Sequence, residues 1–507
     1  HWQSQVEFSM AQNETRSLQL VFLRRPLERR AQFSLSCQVP GLELAVERLG
    51  YINLLPLYNL TSQGMRAGWH PDPVLSMDGS AWLEKEQWAQ PLLLSIKSGK
   101  DCQPGLYAGS LTLQYLDKSL ELPIKVRVLP LQMPDKPSLP LLLGVGGFSG
   151  ETGHQFWLNY RMNPHYSDSG NIYDRRLKNT PLKIDWLQEL SARNLNIFNL
   201  IYLTQLDFVN NKYNITEEKY LNRVFRIYND EYMQELQRRG LSEGAVIYSY
   251  DEVSVSYGDK KNREIVESIL GPLRERYSKY GVRIAATLRD CNDFSIHDMP
   301  VDIWIPLGKA MSTEAAAHLR SLGKEVWWYH IGWEIWHPVA WTRSVHWTSM
   351  ARGYQGWLYY NVNGPWSKKQ QLGDSALTNW GGFTLPRSKR YGTGSLVYED
   401  EAGRLRPSLR LVNFREGMYD YDLLFTLRQL VKQLEQSSVE TDAMEEGILQ
   451  QARQLLSGLY WGQQLGDLCD SPAAFSQDQY AAQLLEAKRS QALQLAAWLN
   501  TALQKRQ

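Results

Sequence analysis

A proline-rich stretch divides the chain into two regions with different patterning. Between Leu129 and Pro140 the sequence reads Leu-Pro-Leu-Gln-Met-Pro-Asp-Lys-Pro-Ser-Leu-Pro. Proline fixes φ and has no backbone N–H to donate to a β-ladder, so such a segment favours a stiff connection between domains. We therefore predict a domain boundary here, with a linker over residues 131–140.

Before this linker the apolar residues fall in short runs of strand length, with no helical pattern between them. The runs cover residues 18–23, 32–36, 92–96, 110–115 and 124–128. Regularly spaced strands without intervening helices are typical of a β-sandwich. The sequence therefore predicts an N-terminal β-sandwich over residues 1–130.

After the linker, strand and helix patterns alternate. Candidate strands cover residues 141–145, 197–202, 245–250, 284–288, 303–306, 326–329, 357–360 and 395–398. Units of this number and spacing match the size of a (β/α)8 barrel, and a doubly wound open sheet is the competing architecture. We predict a TIM-like (β/α)8 barrel over residues 141–425.

The end of the chain has a helical pattern, and we predict a C-terminal helical segment over residues 426–507. Near its end, apolar side chains share a single helical face, namely Leu484, Ala487, Leu495, Trp498 and Leu499. Such a stripe is typical of a helix that packs on its neighbours.

Charge and motifs exclude several classes of function. The 507 residues carry 55 basic and 54 acidic side chains, which gives no electrostatic footprint for nucleic acid. No apolar run reaches the roughly 18 residues that a membrane span needs. The sequence has no HExxH motif, no zinc spacing of Cys and His and no P-loop, so we predict neither metal nor cofactor. For Cys37 and Cys102, a disulfide and two free thiols both remain open.

Two adjacent carboxyl residues follow the predicted strand over residues 245–250. In Val246-Ile-Tyr-Ser-Tyr-Asp-Glu-Val253 an apolar strand leads directly into Asp251 and Glu252. Barrel enzymes carry their chemistry at the carboxyl ends of strands. Two like charges side by side raise at least one pKa, and a carboxyl that stays protonated near neutral pH can act as a general acid. An ordinary solvated loop is the alternative interpretation.

Tryptophan is concentrated in a single region of the chain. Nine of the 18 Trp residues lie between Trp327 and Trp380, and Trp327-Trp328-Tyr329 and Tyr359-Tyr360-Asn361 end two candidate strands. Side chains alternate along a strand, so at most one of each neighbouring pair faces the barrel interior. Some of these residues must pack against helices, and the others would form apolar walls for a sugar ring.

Several segments together resemble the catalytic domain of glycoside hydrolase family 123. In the barrel region these are Tyr250-Asp-Glu252, Glu325-Val-Trp-Trp-Tyr329, Gly356-Trp-Leu-Tyr-Tyr-Asn-Val-Asn363, Gly394-Ser-Leu-Val-Tyr398 and Pro407-Ser-Leu-Arg-Leu-Val-Asn-Phe-Arg-Glu-Gly-Met-Tyr-Asp-Tyr421. In the sandwich they are Gly68-Trp-His-Pro-Asp-Pro73 and Pro104-Gly-Leu-Tyr-Ala-Gly109. Members of that family are retaining β-N-acetylgalactosaminidases with an N-terminal β-sandwich.

The resemblance implies a substrate-assisted mechanism, in which the 2-acetamido group of the sugar is the nucleophile. It assigns Glu252 as the general acid and base, and Asp251 as the residue that orients the acetamido group. It also suggests Trp328, Tyr329, Tyr359, Asn361 and Trp366 for the sugar pocket. The implied activity is exo-acting removal of terminal β-linked N-acetylgalactosamine (GalNAc) from glycans.

Two alternatives remain open at this point. One is a β-N-acetylglucosaminidase or another glycosidase on the same scaffold, and the other is a non-catalytic carbohydrate-binding protein. The predicted partner is in each case a glycan, with no nucleic acid and no membrane span. The chain begins without methionine, and we expect a secreted, periplasmic or cell-surface protein.

Overall fold

The computed structural model describes most of the chain. The described residues are 5–25, 29–54, 67–85, 87–144, 151–165, 181–202, 216–248, 253, 260–288, 291–308, 311–330, 333–359, 362, 395–399, 404–437, 442–459 and 481–506. The chain divides into two compact units. The first unit consists of His1–Ser138, Trp333–Arg352 and Pro365–Gln507, and the second unit of Leu139–Gly332 and Gly353–Gly364. The domain limits at residues 130, 140 and 425 stay predictions.

The first unit begins with two sheets. Their strands are β1 (Val6–Gln12), β2 (Thr15–Leu23), β3 (Ala31–Gln38), β4 (Glu43–Leu54), β5 (Gly68–Leu75), β6 (Ser80–Leu83), β7 (Ala89–Lys97), β8 (Gly105–Tyr115) and β9 (Lys118–Gln132). One sheet has the order β1-β9-β8-β3-β6 and the other β2-β7-β4-β5. Only the β1–β9 pair is parallel among these described pairs. All five predicted runs lie within strands, so the strand prediction for this region is confirmed.

Alternation along the strands explains why the two sheets face each other. In β9, Ile124, Val126 and Val128 are buried, whereas the Arg127 side chain is exposed. The three buried side chains share a hydrophobic cluster with Leu94 and Ile96 of β7, which belongs to the other sheet. The cluster therefore lies between the sheets, as in the two layers of a β-sandwich.

The cysteines of this region are free thiols. Cys37 and Cys102 are both unbridged and partly buried, so the free-thiol alternative is confirmed. The Cys102 sulfur lies 3.3 Å from the Tyr107 hydroxyl. Burial raises the pKa of the Cys37 thiol to about 11, which keeps it protonated and unreactive at neutral pH.

The second unit contains parallel strands that alternate with helices. The strands are β10 (Leu141–Gly144), β11 (Asn163–His165), β12 (Phe198–Tyr202), β13 (Ala245–Tyr248), β14 (Arg283–Leu288), β15 (Ile303–Pro306), β16 (Glu325–Val326), β17 (Trp328–His330) and β18 (Trp357–Tyr359). The helices are α1 (Glu151–Asn159), α2 (Ile184–Ser191), α3 (Glu217–Ile227), α4 (Asp230–Arg238), α5 (Lys260–Tyr277) and α6 (Thr313–Ser321). The helices α3, α4 and α6 each follow a residue, Thr216, Asn229 or Ser312, whose side-chain oxygen caps the first turn.

These strands form two sheets in which every described neighbour is parallel. The sheet orders are β11-β10-β18-β17 and β12-β13-β14-β15-β16. Only Trp327 separates β16 from β17, and an isolated parallel bridge joins Leu307 to Tyr329. Within the described residues no ladder joins β11 to β12. The predicted β/α alternation is confirmed, whereas closure of the strands into a barrel stays a prediction.

One predicted barrel strand does not belong to these parallel sheets. Residues 395–398 overlap β19 (Val397–Glu399), which pairs antiparallel with β20 (Leu405–Pro407) in the first unit. The parallel set instead includes β11, which the sequence pattern did not reveal. Asn163-Pro-His165 is short and has no apolar alternation, so nothing in it signals a strand. The assignment of residues 395–398 to the barrel is therefore wrong.

Helices complete the first unit. They are α7 (Val339–Arg352), α8 (Leu409–Gln436), α9 (Ala443–Ser457) and α10 (Ala481–Arg506). The end of α8 together with α9 and α10 confirms the predicted helical segment over the described part of residues 426–507. The predicted apolar face of α10 is wrong in part, because Leu484 and Ala487 are exposed whereas Leu485 and Arg489 are buried. Arg489 is buried because it forms ion pairs inside the unit. Across the described helices, none combines the length and hydropathy that a bilayer crossing requires.

Candidate active site

The predicted site residues belong to the carboxyl ends of the parallel strands of the second unit, or to the segments that follow them. Parallel strands bring their carboxyl ends to a common edge, where side chains from several strands can act together. Three of the predicted residues, Trp328, Tyr329 and Tyr359, are in the described strands β17 and β18. Asp251, Glu252, Asn361 and Trp366 lie outside the described residues.

The described neighbours of the acid pair are both attached to β14. Tyr248, the last residue of β13, is paired with Ala285. Val253 forms an isolated parallel bridge with Leu288, and its backbone N–H donates to the Thr287 carbonyl at 3.0 Å. The two described residues that flank the acid pair, Tyr248 and Val253, are therefore both held by β14.

A small polar network lies beside this attachment. The Tyr248 hydroxyl and the Thr287 hydroxyl are 3.1 Å apart, and both side chains are buried. The Asn199 carboxamide oxygen accepts the backbone N–H of Tyr248 at 2.7 Å. Sequence reasoning missed Asn199 and Thr287. The available signal was a polar Asn inside the apolar strand Phe198-Asn-Leu-Ile-Tyr202.

Tyr329 belongs to the hydrophobic cluster that also contains the end of β13. The cluster includes Tyr329, Tyr248, Leu142 and Leu358, and Tyr329 is 5% exposed. Leu358 is in register with both Leu142 and Tyr329, so these three side chains project from the same face of the sheet. Of the described pocket residues, Tyr329 is the one that shares its surroundings with the strand before the acid pair.

Trp328 lies on the other face of its strand, as alternation requires. Its ring stacks on Trp357 with centroids 4.9 Å apart and an interplanar angle of 17°, and it contacts Tyr354 at 5.7 Å. A Cβ atom at Gly308 would lie 2.2 Å from this ring, so the indole needs a glycine beside it. Tyr359, fully buried, alternates with Leu358 and so shares the Trp357 face. The structure therefore separates Trp328 and Tyr359 from Tyr329.

Most of the described tryptophans of the Trp-rich region are packed in the interior. Trp327, Trp328, Trp333, Trp341, Trp347 and Trp357 are all 3% exposed or less. Trp336 is partly buried and donates to the Glu334 carboxylate at 2.6 Å. Core packing therefore accounts for most of this aromatic concentration within the described residues.

Three of the family-like segments meet in the first unit. Arg410 from the segment Pro407–Tyr421 forms an ion pair with Asp72 from the segment Gly68–Pro73, and the Tyr398 hydroxyl also donates to Asp72. These side chains are all buried. A guanidinium held in this way binds a carboxylate, not a substrate, so these residues contribute to the architecture of the first unit.

An alternating chain of ion pairs lies inside the first unit, and the segment Pro407–Tyr421 contributes to it. In order of contact its members are Glu14, Arg489, Asp420, Arg343, Glu486, Arg16 and Glu416. Burial raises the pKa of Glu416, although the charges of Arg16 and Arg415 oppose that rise. Burial also opposes ionisation of Glu486, but the charges of Arg16 and Arg343 prevail and lower its pKa. The set therefore holds two glutamates whose pKa values are shifted in opposite directions.

Among the described residues, no group of three or more His, Cys, Asp or Glu side chains is arranged to hold a metal ion. The described residues at this edge of the second unit supply hydroxyl and amide groups beside an aromatic cluster, and the sequence adds the carboxyl groups of Asp251 and Glu252 after β13. Such a set can transfer protons and bind hydroxyl groups of a sugar.

Comparison with known proteins gives a whole-chain likeness to a solved structure. No family model and no curated protein matches the chain. Among solved structures, a family 123 glycoside hydrolase from Clostridium perfringens, studied for glycolipid glycan hydrolysis, aligns with 99% of this chain and 95% of its own, at 12% identity and a TM-score of 0.58. A GH10 xylanase from termite gut aligns with 65% of this chain and 90% of its own, at 8% identity and a TM-score of 0.32. A β-glucuronidase from Parabacteroides merdae aligns with 68% of this chain and 47% of its own, at 10% identity and a TM-score of 0.27. The chain therefore shares the fold of the Clostridium perfringens protein along nearly its whole length.

Proposed function

We propose that this protein is a retaining, exo-acting glycoside hydrolase that removes terminal β-linked GalNAc from glycans by substrate-assisted catalysis. The observation that carries the proposal is the whole-chain fold likeness to a family 123 glycoside hydrolase, together with an Asp-Glu pair after the carboxyl end of β13. Fold alone does not determine chemistry. The proposal therefore depends on what the residues at that strand end can do.

The first element of the proposal is architectural. We infer that the two parallel sheets of the second unit are segments of one (β/α)8 barrel. The single-residue separation of β16 and β17 and the bridge from Leu307 to Tyr329 support continuity between the sheets. On the other side, Asn163 of β11 exchanges hydrogen bonds with Asn196, just before β12, at 2.7 and 3.0 Å. In a barrel of this kind the carboxyl ends of all strands surround one site.

The second element is a division of labour between the two carboxyl groups. Adjacent carboxylates disfavour each other's ionisation, so one of the pair stays protonated to higher pH than the other. We assign the proton to Glu252, which would protonate the glycosidic oxygen. Asp251 would remain charged and accept a hydrogen bond from the N–H of the 2-acetamido group.

The reaction then proceeds in two steps. In the first, the acetamido carbonyl oxygen attacks the anomeric carbon, the bond to the leaving oxygen breaks, and Glu252 transfers its proton to that oxygen. In the second, water attacks the anomeric carbon of the oxazolinium intermediate, and the bond from that carbon to the acetamido oxygen breaks, which restores the acetamido group. The attacking water gives a proton to Glu252. The sugar is released with retained configuration, and no protein nucleophile is needed.

The pocket would be formed around Tyr329. Its ring belongs to the hydrophobic cluster that also contains Tyr248, and an aromatic face with a hydroxyl group suits the C–H face and the hydroxyls of a sugar. Asn361 and Trp366 remain proposed pocket residues, whereas Tyr359, which is fully buried on the Trp357 face, is assigned with Trp328 to the support of the strands. Trp328 would act through its stacking on Trp357, as support for the strand that bears Tyr329.

We further propose a glycolipid glycan with terminal β-GalNAc as the natural substrate, because the Clostridium perfringens protein was studied for glycolipid glycan hydrolysis. A substrate of that kind agrees with the expected location outside the cytoplasm. β-N-acetylglucosamine (GlcNAc) differs from GalNAc only in the orientation of one hydroxyl group. The ratio of the hydrolysis rates of the two sugars therefore measures how strongly the pocket discriminates between the two orientations.

The test is hydrolysis of aryl β-GalNAc, β-GlcNAc and β-galactoside, measured side by side near neutral pH. We expect turnover of the acetamido sugars, GalNAc fastest, and none of galactoside. Glu252→Gln should lower kcat by about 10²–10⁴-fold, the usual contribution of a general acid. Glu243→Gln is a matched control, because Glu243 is exposed and precedes the amino end of the same strand, β13.

Three outcomes would contradict the proposal. Galactoside turnover at a rate similar to GalNAc would exclude substrate assistance, because that sugar has no acetamido group. Equal activity of the Glu252→Gln and Glu243→Gln variants would remove the acid pair from the chemistry. Sugar binding without any turnover would indicate a carbohydrate-binding protein.

A further inference from the structure

A β-bulge lies in β12, next to the strand that leads to the acid pair. Phe198 and Asn199 pair with Ala245 and Val246, whereas Ile201 and Tyr202 pair with Ile247 and Tyr248. Leu200 is thus an extra residue on β12 with no partner on β13. Bulges occur preferentially next to active sites, where they change the direction of a side chain or interrupt a ladder.

Asn199 fills the break that the bulge makes in the ladder. Its carboxamide oxygen accepts the N–H of Tyr248 at 2.7 Å and also that of Ile201 at 3.4 Å. The Tyr228 hydroxyl donates to the Leu200 carbonyl at 2.8 Å, so the extra residue is held as well. Tyr228 and Asn199 are both buried, so this arrangement lies in the interior of the second unit.

The other half of the Asn199 carboxamide has no partner among the residues that the structure describes. Its Nδ2 is buried and forms no hydrogen bond there. A buried donor without an acceptor lowers stability. The ladder break needs only an acceptor, which Asp, Ser or Thr could also supply. Asn lowers stability here because its Nδ2 is buried without an acceptor among the described residues. Its advantage over Asp is that it adds no negative charge.

We propose that Asn199 is a positioning residue for the acid pair, which it holds through the backbone N–H of Tyr248. This inference rests on the proposed function, and it adds a residue that the resemblance does not assign. Tyr248 precedes Asp251 by three residues, so their Cα atoms are at most about 11 Å apart. A displacement of Tyr248 therefore moves the first carboxyl group of the pair.

The neutrality of Asn199 matters for the same reason. A negative charge at residue 199 would disfavour ionisation of both carboxyl groups, because the short chain from Tyr248 keeps the Cα atom of Asp251 within roughly 15 Å. With the dielectric response typical of protein sites, the shift amounts to about one pH unit. Asn at this position supplies the hydrogen-bond acceptor and adds no charge that would shift the pKa values of Asp251 and Glu252.

The test compares Asn199→Ala and Asn199→Asp with the same changes at Asn163. Asn163 is a matched control because it is fully buried, is also on a parallel strand of the second unit and also accepts a backbone N–H, that of Asn196, at 3.0 Å. Asn163 differs from Asn199 in its position, because it is the first residue of β11 and does not contact the strand that precedes the acid pair in any described hydrogen bond. Melting temperature and circular dichroism establish that each variant is folded.

We expect Asn199→Ala to lower kcat for aryl β-GalNAc by about 10–100-fold, since small displacements of catalytic groups have effects of that size. Its KM should change little. Asn199→Asp keeps the acceptor, so it should recover most of kcat at its own optimum, with both limbs of the pH profile of kcat/KM about one unit higher. The Asn163 variants should lower the melting temperature and leave the pH profile unchanged.

An Asn199→Asp profile that superimposes on wild type, or equal losses of kcat in the two alanine variants, would overturn the inference. If Asn199→Ala does not fold, the Asn199→Asp comparison decides. Wild type without turnover would defeat the proposed function instead. The inference is then decided by NMR titration of ¹³C-carboxyl-labelled glutamate, with the Glu252 signal identified by its loss in Glu252→Gln. A raised pKa of Glu252 in Asn199→Asp would support it, and an unchanged pKa would overturn it.

Discussion

Arg410 and Asp72 form an ion pair, 2.9 Å between Nη2 and Oδ2, in which both side chains are 1% exposed. The same guanidinium donates to the Trp333 carbonyl at 2.7 Å. The pair thus connects β5, the first turn of α8 and the chain at Trp333, three segments that are far apart in sequence. All three segments lie within the first unit.

Asp72→Asn should destabilise the protein strongly, because it leaves the charge of Arg410 buried without its counter-ion. Removal of one partner of a buried ion pair typically costs about 3–5 kcal/mol. Urea unfolding at neutral pH measures the loss, with Asp78→Asn, an exposed aspartate that follows β5, as the control. A loss below about 1 kcal/mol would mean that water reaches Arg410 and replaces the carboxylate.

Gly417→Ala should also be destabilising, because α8 approaches α7 closely at this glycine. A Cβ atom there would lie 2.2 Å from His346 Nδ1 and 2.8 Å from the Arg343 carbonyl oxygen, which is a backbone atom that no side-chain rotation can move away. We expect a loss of about 1–3 kcal/mol, the usual cost of overpacking.

Gly447→Ala is the matched control for that substitution. Gly447 lies inside α9, and a Cβ atom there would meet nothing within 4 Å. Alanine should therefore stabilise this helix by about 0.5–1 kcal/mol through its higher helix propensity. The two variants should shift the urea midpoint in opposite directions, and shifts of the same sign would contradict the packing argument.

The sequence was sufficient for the local elements of the fold. Alternation of apolar side chains, as in Ile124, Val126 and Val128, and apolar runs between helical patterns predict where strands lie, because burial has the period of the strand. The sequence was not sufficient for β11, because Asn163-Pro-His165 has no apolar alternation although it forms a strand that pairs with β10. It also assigned residues 395–398 to the wrong sheet, because a strand pattern does not specify its partner.

The candidate site was predictable to a similar extent. Tyr329 was singled out from an aromatic pattern, but which of Trp328 and Tyr329 shares a face with Tyr248 depends on register, which the sequence does not encode locally. Asn199 was missed because its role arises from a bulge between two strands. The same limit applies to Asp420 and Arg489, since ion pairs between distant segments are set by the tertiary structure.

Glu416 and Glu486 should have opposite effects on the pH dependence of stability. The pKa of Glu416 is raised by burial, so the folded chain binds more protons than the unfolded chain as pH rises above the ordinary value of 4.5. Its contribution to stability is present below that pH and is lost as pH rises through the folded pKa. The unfolding free energy of Glu416→Gln should therefore increase relative to wild type between about pH 4.5 and 7.

Glu486 has the reverse sign, because the charges of Arg16 and Arg343 lower its pKa in the folded protein. Its contribution is present above 4.5 and is lost as pH falls through the folded pKa. Glu486→Gln should lose stability relative to wild type as pH rises towards about 5, and the difference should stay constant at higher pH. Urea unfolding at several pH values gives both differences, and slopes of equal sign would contradict the assigned shifts.

Substitutions of Trp328 should mainly lower the free energy of unfolding, whereas substitution of the Tyr329 hydroxyl should mainly weaken substrate binding. Trp328→Ala removes a ring that stacks on Trp357 and fills the space beside Gly308, so we expect a loss of about 3–5 kcal/mol, as for other buried aromatic residues. Tyr329→Phe keeps the ring in its cluster and removes only the hydroxyl, so the loss of stability should stay below about 2 kcal/mol.

In kinetics the order should be reversed, with the larger effect for the Tyr329 variant and the smaller for the Trp328 variant. If the Tyr329 hydroxyl binds the sugar, its loss should lower kcat/KM for aryl β-GalNAc by about tenfold, which corresponds to one hydrogen bond of about 1.4 kcal/mol. Trp328→Phe, which keeps an aromatic ring on the Trp357 face of the strand, should leave kcat/KM within about threefold and affect mainly the urea midpoint. A drop in kcat/KM for Trp328→Phe with no change for Tyr329→Phe would place the sugar on the Trp357 face of the strands and exclude the cluster of Tyr248 as the pocket wall.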